Sequence, residues 1–169
     1  MKEIQKAELK ELESIMEIYN KARIFMKRHG NGFDWRGDYP SEEMVRQDLE
    51  AGYLHVLTNT DSKEIEAVFV FYPGPDPLFE EIRGGAWSKG EEDGNYYVFT
   101  RLASAGKEAG AGGTCLDWAK GQGRSLRTYS FRHNFPMLSL LTAQGFQYRG
   151  IIKNETGADQ YAFEHKKAY

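Results

Sequence analysis

The residues best suited to chemistry lie in KEAGAGGT, Lys107 to Thr114, where a basic residue is followed by Gly110, Gly112 and Gly113. Residues without side chains let backbone N–H groups approach an anion, and a helix opening there adds unpaired donors and the positive end of its dipole. Such a bend can hold a phosphate or pyrophosphate. The residues exclude two well-known versions. A Walker loop needs Gly, four residues, then Gly-Lys-Ser/Thr, whereas Ala111 and no lysine follow at that distance from Gly106. A dinucleotide-binding bend needs a third glycine where Cys115 stands, and an acid about 20 residues later, where the chain has Ser130 and Arg132. The plain alternative is that the glycines only relieve a tight strand-to-helix turn.

Groups able to move protons flank the bend. Glu80, Glu81, Glu91, Glu92 and Asp93 precede it; Tyr129, Ser130, His133 and Ser139 follow it. An imidazole titrating near 6.5 suits a base, whereas acidic runs are usually solvated faces. Trp35 and Tyr39, with Phe33, and Phe79 with Trp87 are aromatics in loop-like stretches. They either line a pocket for a second substrate or anchor long loops to the core. Cys115, the single cysteine, excludes an intramolecular disulfide and a cysteine metal cluster, and no metal site is expected. It shares a helix face with Leu116 and Ala119, which makes it a buried thiol rather than a nucleophile.

The elements that must position these groups follow from periodicity. KEIQ is a short strand, and Lys10 to Lys27 carries Leu12, Ile15, Met16, Tyr19, Ala22 and Met26 at helical spacing. A long aromatic loop leads to Ser41, the N-cap of a second helix through Leu49. YLHVLTNT and EIEAVFVFYPG form an antiparallel hairpin ended by GPDP, and Leu78 to Asn95 is a loop or short helix. YYVFTRLAS is a strand running into the glycine bend and a helix from Ala111 to Gln122. The strand LRTYSF, a helix from Phe135 to Gln144, a stop at Gly145, and the strands QYRGIIKN and DQYAFEHK around the turn ETG complete the chain. Strand, helix, strand requires a parallel crossover and the hairpins are antiparallel, so the sheet is mixed. With 169 residues, 40% hydrophobic and 28% charged, one domain spanning residues 1–169 is expected. A net charge of −3 with mixed signs gives no case for nucleic acid. No apolar run reaches the roughly 18 residues of a membrane span, and the first ten residues are charged where a signal peptide is apolar. A cytoplasmic protein is expected.

KEAGAG, after its strand, resembles motif A of the GCN5-related N-acetyltransferases (GNAT), Arg/Gln-x-x-Gly-x-Gly/Ala, with Lys107 at the basic position. NFPMLSLLTAQGF resembles that family's motif B, with Asn134, Leu140, Gly145 and Phe146 in place and Met137 for the alanine. The order of elements is also the family's, so the resemblance covers nearly the whole chain. WRGDYPSEE and GPDPLFEEIRGGAW are similar to a small bacterial subgroup. The resemblance implies a mixed α/β acyl-CoA N-acyltransferase fold. Its central sheet has six to seven strands flanked by about four helices, and two central parallel strands splay around acetyl-CoA. Pantetheine would then lie along Leu102, Ala103 and Ser104. Its pyrophosphate would rest on the N–H groups of Glu108, Ala109, Gly110, Ala111, Gly112, Gly113 and Thr114 beside Lys107. Asn134 would steer the pantetheine arm or cap its helix, and Met137 and Leu140 would be core or pantetheine wall.

The implied reaction is acetyl transfer from the thioester to a primary amine of a small molecule or protein. Deprotonating an ammonium of pKa about 10.4 at pH 7 costs roughly 4.6 kcal/mol, whereas protonating a departing thiolate of pKa about 8.5 is worth about 2 kcal/mol. A base therefore matters more than an acid. The candidates for proton transfer are Glu81, Glu92, His133 and Ser139. Leu141 stands where the family places a tyrosine acid, and Thr100 where related sequences often carry a histidine. A CoA-binding module without turnover is the alternative, and nucleotide binding a third reading. A homodimer is permitted.

Overall fold

The computed structural model describes residues 1–89 and 94–167. Their seven strands and four α-helices follow the expected order. They fall into two compact units, one of residues 1–71 and 101–115, the other of the described residues within 72–100 and 116–167.

In the first unit β1 (Lys2–Lys6), β2 (Leu54–Asn59) and β3 (Ile65–Pro73) form an antiparallel ribbon. Leu54, Val56, Val68 and Val70 are buried, so apolar residues cover the central strands. α1 (Leu12–Arg28) is preceded by a short 3-10 turn at Leu9–Glu11, which moves its start past the expected Lys10. Its buried positions Leu12, Ile15, Ile18 and Tyr19 repeat at helical spacing. α2 (Glu42–Glu50) begins as expected, with the Ser41 hydroxyl accepting a hydrogen bond from Met44 N at 3.2 Å. Arg23 Nε donates to the Tyr39 carbonyl at 2.9 Å and ties the long loop to α1. The first unit also holds the last residues of β4 (Tyr96–Ser104), where Ala105 N donates to the carbonyl of Glu66 in β3 at 2.8 Å.

In the second unit, Gly74 N donates to the Tyr96 carbonyl at 2.8 Å and aligns the other end of β3 with β4. β4 runs parallel to β5 (Ser125–Ser130), and the crossover contains α3 (Ala111–Lys120). α4 (Phe135–Ala143) leads to β6 (Gln147–Lys153) and β7 (Asp159–His165). β7 pairs antiparallel with β5 and with β6, which gives the order β1-β2-β3-β4-β5-β7-β6. The last strand in sequence thus lies inside the sheet and β6 at its edge. Periodicity places both strands in sequence and says nothing about which of them meets β5.

The core of this unit gathers around Phe79, Tyr96, Val98, Ile152 and Ala162, with Trp87 and Tyr129 packed against it. Phe79 ends a 3-10 turn at Pro77–Phe79, where Asp76 Oδ1 accepts from Leu78 N at 3.0 Å. The Arg127 guanidinium lies 3.9 Å from the Tyr96 ring centroid and 4.4 Å from that of Trp87. It donates to the Phe79 carbonyl at 3.3 Å, and the Trp87 indole N–H donates to the same oxygen at 2.6 Å. This buried cation is thereby compensated by two ring faces and a carbonyl dipole. Arg149 pairs with the fully buried Glu164 at 2.9 Å, whose carboxylate also accepts from Ser88 N at 3.1 Å.

The Tyr96 hydroxyl donates to Glu80 Oε1 at 2.8 Å and accepts from Asp76 N at 2.9 Å. Burial first, then the Glu80 carboxylate, pushes this phenol up to about 12. An unfolded phenol ionises near 10, so the unfolded state releases this proton first. Stability is therefore expected to be full below pH 10 and to fall as pH rises from 10 towards 12, as read by urea unfolding across that range. Tyr96→Phe should shrink this alkaline loss. Phe79→Ala should cost about 3–5 kcal/mol in the same measurement, because the ring is wholly enclosed.

Candidate functional site

The glycine bend is built as its sequence suggests. Gly106 and Gly110 take φ values of 74° and 88°, in the left-handed region where a side chain is strained. Ser104 Oγ accepts from Gly106 N at 3.1 Å, and Thr114, the first residue whose N–H closes onto the preceding turn, donates to the Gly110 carbonyl at 3.0 Å. Thr114 Oγ1 donates to that carbonyl as well, at 3.1 Å. Ala111, Gly112 and Gly113 open α3, and their N–H groups belong to the first turn, which has no acceptor within its own helix. The bend therefore supplies backbone donors at the positive end of a ten-residue helix.

Two ion pairs tie the bend to the ribbon. Lys107 Nζ lies 2.8 Å from Glu64, and Glu108 lies 2.5 Å from Lys2, which also reaches the buried Glu66 at 2.8 Å. The Lys2 bond lowers the Glu108 carboxyl below its usual range, and the two carboxylates raise the Lys2 ammonium. Lys107, expected beside the phosphates, is paired with a carboxylate here. Exposed pairs of this kind are worth about 1 kcal/mol or less, so the ammonium is easily drawn to another anion.

The strand leading into the bend breaks its own regularity. Parallel pairing of β4 with β5 covers Tyr96↔Ser125, Tyr97↔Leu126 and Val98↔Arg127, although β4 continues to Ser104 and β5 to Ser130. Arg101 then adopts a φ of 52°, which an arginine rarely takes. The Tyr19 hydroxyl donates to the Arg101 carbonyl at 2.9 Å, and the Arg101 guanidinium meets Asp48 Oδ2 at 2.5 Å. Beyond this point Leu102 is half-buried, Ala103 buried and Ser104 exposed. Neither the left-handed residue nor its two partners was legible in the sequence, since Arg101 has no residue-type preference for that conformation.

The other expected site residues are placed as follows. Asn134 caps α4, its Oδ1 accepting from Met137 N at 3.3 Å. Met137 and Leu140 are half-buried, and Leu141 is fully buried in α4. Glu81, His133 and Ser139 are exposed, and Glu92, like Glu91 and Asp93, lies outside the described residues. The His133 ring sits between those of Phe131 and Phe135, at centroid distances of 5.5 and 6.3 Å. Thr100 is buried at the end of the β4 segment in the second unit. Phe79 is enclosed in its core and Trp87 half-buried against Arg127, so both rings anchor their loop. Trp35 is likewise buried, edge-on to Tyr19 at 5.7 Å and to Tyr39 at 6.0 Å. No group of three or more His, Cys, Asp or Glu suited to a metal occurs among the described residues, and no helix there is long and apolar enough to cross a membrane.

No family model and no curated protein matches the chain. Solved structures do. A GNAT-family acetyltransferase from Streptococcus agalactiae superposes with a TM-score of 0.88 at 22% identity, covering 99% of this chain and 96% of its own. One from Bacillus cereus gives 0.65 at 16% identity, covering 100% and 99%. A phosphinothricin acetyltransferase of the GNAT superfamily from Sinorhizobium meliloti, solved in complex with AcCoA, gives 0.64 at 13% identity, covering 99% and 89%. At these identities the likeness is one of fold: this chain has the fold of the GNAT acetyltransferases, as the sequence motifs imply.

Burial pushes the Cys115 thiol up to about 12, and the side chain is enclosed. A maleimide or disulfide reagent at pH 8 should therefore leave the folded protein unlabelled and modify one thiol once urea unfolds it. Rapid labelling of the native protein would show an open helix α3.

Proposed function

We propose that the chain is a GNAT-family acetyltransferase that uses acetyl-CoA to acetylate a primary amine of a small molecule or protein. The observation that carries this reading is the glycine bend at the start of α3, whose first-turn N–H groups have no acceptor within their own helix, on this fold. The N–H groups from Glu108 to Gly113 hold the pyrophosphate, with Lys107 exchanging Glu64 for a phosphate oxygen, while Thr114, expected among these donors, has its N–H on the Gly110 carbonyl. Leu102, Ala103 and Ser104 offer backbone groups to pantetheine after the pairing with β5 has stopped. In the reaction the neutral amine nitrogen attacks the thioester carbonyl carbon. The C–N bond forms, the C–S bond breaks, the nitrogen loses one proton and the thiolate gains one. The wholly buried Leu141 donates no proton, so the thiolate is protonated by another hydroxyl or by water, the step with the smaller energetic demand.

The same leucine favours a second reading, a CoA-binding module without turnover. The two separate in one assay. Acetyl-CoA and an amine panel of amino acids, polyamines and lysine peptides should release free thiol; tight CoA binding with no thiol release on any amine would establish the module.

Gly112→Asp tests the bend itself. A carboxylate in the first turn of α3 should stabilise the helix by about 0.3–1 kcal/mol while repelling the pyrophosphate. The melting temperature is expected to hold or rise, and CoA affinity by calorimetry to fall at least about a hundredfold, equivalent to about 2.8 kcal/mol. Undiminished affinity would rule out the bend as the phosphate site.

A further inference from the structure

A left-handed arginine inside a strand is costly. For a residue with a Cβ, this conformation is unfavourable by roughly 1–2 kcal/mol and persists where the surroundings over-determine it. At Arg101 they do. Tyr19 on α1 is fully enclosed and its hydroxyl donates to the Arg101 carbonyl at 2.9 Å. Burial holds that phenol protonated far above its ordinary range, so it remains a donor throughout the physiological range. The Trp35 edge at 5.7 Å packs against its ring. From α2, Asp48 takes the Arg101 guanidinium at 2.5 Å, and the two side chains are only 14% and 13% exposed. The Asp48 carbonyl accepts from Tyr53 N at 2.9 Å, next to β2. Two elements of the first unit, α1 and α2, thus converge on the backbone and side chain of one residue. A fold has no need of this strain: a glycine at 101 would adopt the same φ freely. Bulged strands with one left-handed residue re-aim the residues that follow and are common beside functional sites.

We propose that Tyr19 and Asp48 are positioning residues. They hold the left-handed turn at Arg101 and so preset the backbone of Leu102, Ala103 and Ser104 to receive pantetheine. This rests on the reading of the chain as an acetyl-CoA enzyme and goes beyond it by naming residues outside both motifs.

Tyr19→Phe keeps the ring and its contact with Trp35 and removes one donor. The full chain and this variant are titrated by calorimetry with CoA and with adenosine 3′,5′-bisphosphate, which lacks the pantetheine arm. The variant should bind CoA about tenfold more weakly, and the bisphosphate within about twofold of the parent, as loss of one buried hydrogen bond acting on the arm alone predicts. Asp48→Asn should show the same selectivity with a smaller loss, and serves if Tyr19→Phe fails to fold. Equal weakening of both ligands, or unchanged CoA affinity with a lower melting temperature, would reduce the pair to ordinary structural support and overturn the proposal. A parent chain that binds neither ligand would instead overturn the acetyl-CoA reading, and this proposal with it.

Discussion

The parallel ladder between β4 and β5 lasts for three residue pairs, from Tyr96↔Ser125 to Val98↔Arg127, and the functional reading depends on where it stops. A parallel strand buried in a sheet normally spends all its backbone donors and acceptors on its neighbours. β4 does not, because its pairing with β5 ends well before the strand does. The proposed pantetheine segment, Leu102 to Ser104, follows that point in the chain. The glycine bend comes a few residues later, so in the proposed function one continuous piece of chain would meet pantetheine and then pyrophosphate, in their order in CoA.

What fixes the ladder over those three pairs is the burial of Arg127. Its guanidinium is held between the Tyr96 and Trp87 rings, and its hydrogen bond goes to the carbonyl of Phe79. The segment from Asp76 to Ser88 is thereby clamped over the start of β5, with Tyr96 bonded to Glu80 and Ser88 bonded to Glu164. The aromatic residues of this loop, which composition alone leaves equally suited to a pocket wall, are accounted for by a buried cation and a packed core.

Much of this was legible in the sequence, for definable reasons. α1, α2 and the β2–β3 hairpin come from strong periodicity and from Ser41, and the bend from glycines placed where left-handed φ values are needed. Asn134 states its capping role by type and position. The remainder depends on contacts distant in sequence. That β7 rather than β6 meets β5 is a matter of register between residues 31 to 39 positions apart, from Ser130↔Tyr161 to Leu126↔His165. The left-handed turn at Arg101 is imposed by Tyr19 and Asp48 on other elements, against its own preference, and the Lys107–Glu64 pair joins a loop to a hairpin end. Local rules fail where long-range contacts override them, and here the overriding contacts cluster around the candidate site.

The placement of β7 also bears on how the chain is made. β5 is complete at Ser130, yet the strand that covers its open edge ends at His165. At a synthesis rate of 5–20 residues per second, the 35 residues between Ser130 and His165 take roughly two to seven seconds, during which the edge of β5 has no β7 to pair with. An unpaired edge of this kind is a template for association with other chains. The half of the sheet built around β5 therefore closes only once β7 has been made, and the hazard of misassembly falls in the interval between the two strands.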